Sequence, residues 1–166
     1  TPSGWTKVTE FTSTSDLSAA WFWKRATGSE SGTETFTSAA SQGSMISGII
    51  SRYSGCITTG TPYEDPQSAG ITQSTAISAP EITTTGIERL IINFVGIEDD
   101  TTVTGGASGY SIGYNLTDAT GSDCRHGMLY QQVATAQTVS EESSSIAVSE
   151  YWASLSVALL PTVSGS

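Results

Sequence analysis

The sequence predicts an all-β fold, a jelly-roll-like β-sandwich of about eight or nine antiparallel strands, and three observations carry that reading. Charged residues make up only 13% of the 166-residue chain, with serine and threonine in their place. Threonine suits a pleated strand, whereas Ser, Thr and the 17 glycines weaken helix interiors. Short apolar or alternating runs are divided by Gly, Pro, Asp and Ser, the punctuation of sandwiches and barrels. Finally, the run from Ala153 alternates cleanly: Ala153, Leu155, Val157 and Leu159 point one way, Ser154, Ser156 and Ala158 the other, until Pro161 stops it. The length fits a single domain covering 1–166.

In chain order, residues 6–12 form the first expected strand and 17–25 the second. The second puts Leu17, Ala19, Trp21 and Trp23 on one face, opposite Ala20 and Phe22. A helix competes there, because Leu17, Ala20, Trp21 and Lys24 also have helical spacing; the aromatic content favours a strand. Residues 44–53 and 88–95 are apolar on both faces, Ile46 and Ile50 opposing Met45 and Ile49, and Leu90, Ile92 and Phe94 opposing Ile91 and Val95. Such strands need a layer on each side. Between them, 54–80 contains Pro62, Pro66, Pro80, Gly60 and Gly70 and reads as a long surface connection. Residues 81–85 start the returning pair, with a turn at Asp99-Asp100. Strands at 109–116 and 128–139 follow, joined by a loop at 117–127, and Ser143 to Ser145 read as a loop before the last strand.

The remaining composition narrows function. Four Trp, six Tyr and runs such as Leu90-Ile91-Ile92 argue against a disordered Ser/Thr-rich stalk. A net charge of -10 with scattered basic residues argues against nucleic acid and anionic membranes, which require clustered Lys and Arg. No apolar run approaches the roughly 20 residues of a membrane-spanning helix.

Residues that could carry chemistry are few. Cys56 and Cys124 are a candidate disulfide, within or between chains, with two free thiols as the alternative. The single histidine, His126, shares a strand face with Cys124, but a Cys-His nucleophile also needs a cleft and an orienting third group. One His and two distant Cys make a poor zinc set. Glu98-Asp99-Asp100 and the pair Asp118 and Asp123 offer calcium oxygens without EF-hand spacing and read as solvated loop carboxylates. No nucleophile elbow or phosphate-cradling loop is present, and Asn115-Leu116-Thr117 is formally a glycosylation sequon. We therefore expect no catalytic residue, metal or cofactor. Trp5, Trp21, Trp23 and Trp152 each adjoin an apolar run and are expected in the core or at a subunit interface; stacking on sugar rings is the alternative.

Several short segments together resemble jelly-roll-type domains of bacteriophage virion accessory proteins, which occur also in secreted bacterial proteins. These are Gly4-Trp5, Trp23-Lys24, Tyr53-Ser54-Gly55, Pro80 with Ile82-Thr83-Thr84-Thr85, Leu90-Ile91-Ile92, and Trp152-Ala153 leading to Val157-Ala158-Leu159-Leu160-Pro161. The resemblance spans nearly the whole chain, and none of its elements is catalytic. It implies a non-enzymatic virion component, a capsid decoration or tail-fibre surface protein, acting as a homo-oligomer, a trimer among the options, and through other virion proteins. Cys56 stands where such domains carry a small aliphatic residue, which would suit a special cross-link. The competing expectation is a secreted or fibre-borne module that binds a glycan or cell surface, with Tyr63 and Tyr110 as its platform. A hydrolase would need convergent carboxylates or a positioned nucleophile.

Overall fold

The computed structural model describes residues 1–13, 17–37, 46–99, 101–104, 108–118 and 124–162. Among the described residues there are ten strands and no helix: β1 (Thr6–Thr12), β2 (Ser18–Trp23), β3 (Tyr63–Ala79), β4 (Ile82–Thr83), β5 (Arg89–Ile97), β6 (Val103–Thr104), β7 (Ser111–Asp118), β8 (Cys124–Val133), β9 (Thr138–Val139) and β10 (Glu142–Leu159). Every pairing is antiparallel. The all-β, sandwich-like class expected from the sequence is the one observed. Its pairing path is one six-stranded sheet in the order β3-β10-β5-β8-β7 with β6 also on β10, plus the two-stranded ribbons β1-β2 and β4-β9.

The layers arise because the long sheet bends. Pairing of β10 with β3 passes from Ser145↔Ala76 to Glu150↔Ser74, so residues 146–149 stand opposite Thr75 alone. This bulge turns a corner, as extra residues in one strand do. On one side of it β10 pairs β5, ending at Trp152↔Ile97; on the other it pairs β6 through Ile146↔Val103. The Ser154 hydroxyl donates to the Ser78 carbonyl at 2.7 Å, tying the far end of β3 down onto the centre of the sheet.

Alternation gives the central sheet two faces. The inner face presents Trp152, Ala158, Ile91, Val95, Ile97 and Leu129, covered by Ile77, Ile82, Val103 and Ile146 from β3, β4, β6 and β10. The outer face presents Leu155, Val157 and Ile92, covered by Val8 and Trp21 of the β1-β2 hairpin and by Tyr53. The expectation that the strand at 88–95 needs a layer on each side is met. Polar side chains also lie in the inner layer: Asn93, Ser154 and Ser156 are fully buried, and the Asn93 amide donates to Ser156 Oγ at 3.1 Å.

Four sequence expectations are corrected. The presumed connection at 54–80 contains β3, the 17-residue edge of the sheet. Pro66 is tolerated there because an edge strand has one side without a ladder, and Asp65 takes a positive φ of 47° beside it. Ser143 to Ser145 belong to β10, where backbone pairing with β3 and β6 offsets their poor apolar character. The loop expected at 117–127 is shorter, since β7 extends to Asp118 and β8 begins at Cys124. Residues 46–53 form no strand, and Ile46 and Ile50 are exposed; Ser44 and Met45 lie outside the described residues. In the second expected strand β2 forms and the helical alternative does not.

Candidate interaction surfaces

The residues singled out from sequence do not converge. Cys56 bridges Pro161 at the Leu90 end of β5, while Cys124 precedes Arg125, which pairs Ile97 at the other end. At about 3.3 Å per residue that span is roughly 23 Å, far beyond the ~7 Å Cα limit for a disulfide. Both thiols are free, which corrects the bridge within one chain. Burial pushes the Cys56 thiol above its usual value, opposite to what a reactive thiolate needs.

The tryptophans divide. Trp152 is buried in the inner core, Trp21 packs on the outer face, and Trp23 stands edge-on to Tyr63 at 6.3 Å. Arg25 sits 5.8 Å from the Trp23 ring and donates to the carbonyls of Ile57 and Gly60, holding the end of the hairpin against residues 57–60. Tyr110 is only 8% exposed and belongs to the inner core; burial first, and then the Glu142 charge, push its phenol to about 12. Neither Tyr63 nor Tyr110 is therefore an open aromatic platform. His126 faces Ser47 Oγ at 3.0 Å, and burial holds its imidazole below the ordinary value.

The Asn115 amide is engaged at both ends, donating to the Val103 carbonyl and accepting from Arg125, each at 2.8 Å. Asp100, Asp123 and the Asp118 side chain lie outside what is described. Among the described residues no group of three His, Cys, Asp or Glu side chains is placed to hold a metal.

Two surfaces stand out that the sequence reading missed. The first is the free edge of β3. Between Asp65 and Glu81 the chain carries no charged residue, in a protein with 16 acidic and six basic side chains. Bulges opposite Gly70-Ile71 and at the 146–149 corner flank residues 72–74, a regular stretch paired to β10 on one side and to no described strand on the other. Its start is clamped: Glu64 accepts from Thr85 and from Arg89 Nε at 2.7 Å, and Asp65 accepts from the Thr83 amide. Burial works against ionisation of Glu64, but these donors outweigh it and hold the carboxyl below its usual range.

The second surface is the outward side of the hairpin. Trp5 and Phe22 both pack against Phe36, with centroids 5.4 and 5.9 Å away. Lys24 lies 5.7 Å from the Trp5 ring and pairs with Glu34, which also accepts from the Trp5 indole at 3.3 Å. Glu30 closes the neighbouring turn, accepting from the amides of Thr27 and Gly28 and from the Thr27 hydroxyl at 2.9 Å. The available sequence signal was a pair of glutamates in a Gly/Ser-rich stretch directly after Trp23-Lys24.

No family model, curated protein or solved structure matches this chain.

Proposed function

We propose that this domain is a non-enzymatic assembly component whose copies pair along the uncharged outer edge of β3. The observation that carries the reading is an unpaired, charge-free strand edge in a chain of net charge -10. Exposed edges recruit further strands, and proteins that stay apart usually place Lys or another charge on them. A neutral edge is also suited to meeting its own copy, because a two-fold interface brings identical patches together and any net charge would repel itself. Pairing β3 with β3 across a two-fold axis is antiparallel, the more stable ladder. Serine, threonine and glutamine side chains there hydrogen-bond to a neighbour without the cost of desolvating a charge.

The placement on a bacteriophage particle, as a decoration or fibre-surface subunit, rests on the sequence resemblance. A neutral pairing edge is what such a subunit needs to join its neighbours.

Light scattering across a concentration series tests this reading. We expect a species of twice the 17.3 kDa chain mass, reduced to monomer by Gln73→Lys with Thr75→Lys while the circular dichroism stays unchanged. A monomer at every concentration, or a dimer indifferent to both lysines, overturns it.

A further inference from the structure

A concavity of about 440 Å³, within the range of ligand pockets, lies beside the outer face of the β1-β2 hairpin. It is open and mainly polar, walled by Lys24, Thr27, Ser29, Glu30, Ser31 and Glu34. Its two carboxylates are held in fixed positions by different means. Glu30 is gripped by the turn that it closes, first by the Thr27 amide, which keeps its carboxyl down at about 2. Glu34 is held first by Lys24 and then by the Trp5 indole, which also lower it. Both therefore accept hydrogen bonds at any physiological pH.

Their partners decide the ligand class. Glu34 already has a lysine, and Glu30 already has backbone donors, so the cavity is not an unsatisfied anionic trap seeking a cation. What remains in the wall is a set of fixed acceptors, one ammonium and three hydroxyls; among the described residues no aromatic ring lines it, but Trp5 adjoins it through its contacts with Lys24 and Glu34. A pyranose ring presents the complement to that wall in the vicinal hydroxyls around its rim, with Trp5 at the margin to meet its apolar C–H face. We infer that the cavity between residues 26–37 and the outward side of the hairpin binds a neutral saccharide. This is independent of pairing at β3, which lies on a different part of the molecule.

The test is a nuclear magnetic resonance titration of the intact labelled chain with soluble gluco-, galacto- and manno-oligosaccharides, alongside glucosamine and glucuronate oligomers. The expected result is saturable shifts of the Trp5 indole and the amides of residues 27–34 with at least one neutral series. Glu34→Gln and Glu30→Gln, which keep side-chain size, should each weaken that binding by roughly tenfold, as for loss of a charged hydrogen-bond acceptor. Gln73→Lys should leave the titration unaltered, so failure here and failure at β3 are separable. No saturable shift at millimolar sugar, shifts centred elsewhere, undiminished binding in both glutamine variants, or preference for a charged oligomer would each overturn the assignment.

Discussion

The two faces of the central sheet are covered by different means. The inner face is roofed largely by the sheet's own continuation: β3 and β10 turn the corner at residues 146–149, β6 pairs the turned strand, and β4-β9 completes the layer. Its core holds residues such as Ile77, Ile82, Ile91 and Ile97 at zero exposure. The outer face is roofed by a hairpin that shares no ladder with it and by a segment tied to the sheet only at its end, where Cys56 bridges Pro161 just past β10, and among the described residues its core holds only Ile92, Leu155 and Val157 as buried residues. A roof that is backbone-continuous with the sheet must open with it, whereas one docked through side chains can open alone.

Substitutions on the two faces should separate these behaviours. The largest effect is expected for Ile97→Ala on the inner face, about 3 to 4 kcal/mol from the lost side chain and the cavity it leaves. Urea unfolding would read the loss, and hydrogen exchange should accelerate together in β5, β8 and β10. Trp21→Ala on the outer face removes a half-buried ring and should cost about 2 kcal/mol, less than a full core deletion. Its signature is selective loss of protection in β1 and β2. Uniform loss over all strands in that variant would mean that the two roofs form one cooperative unit. A smaller effect, about 1 kcal/mol, is expected for Ser154→Ala, which removes the bond to the Ser78 carbonyl across the inner layer. Faster exchange at the far ends of β3 and β10 should accompany it.

The same contrast explains what was legible in the sequence. β2, β5 and the second half of β10 were readable because a run of apolar or alternating side chains reports directly which of them meet a layer. β3 and the first half of β10 were not. Their bulges at Asp65-Pro66, at Gly70-Ile71 and at 146–149 shift the period, so neither strand keeps a single apolar face. Serines 144, 154 and 156 are buried through backbone pairing and hydrogen bonds with Asn93 and Ser78, partners distant in sequence. The candidate saccharide cavity has the same origin: Trp5, Lys24 and Glu34 meet only because the loop after β2 folds back on the hairpin. The cysteines show the converse, since their spacing left a bridge open that the length of β5 forbids within one chain.

The subtlest test of the two-roof picture is pH. His126 points to the outer side of β8, paired in register with Gly96 and Leu116 and touching Ser47 of the covering segment. Burial lowers its folded-state pKa below the ordinary 6.5. The unfolded chain therefore takes up a proton that the folded chain refuses. The contribution is fully present above pH 6.5 and is lost as pH falls through the lowered folded value, below which both states are protonated. Stability measured by urea at pH 7.5 and at 5.5 should thus decline in the native chain and decline less in His126→Gln, the difference removing the share of carboxylates common to both. If the outer roof opens by itself, acid should speed exchange in residues 46–57 before it affects β5 or β10. Equal pH slopes for the two proteins would show that the imidazole stays hydrated, and that the segment over it is no seal.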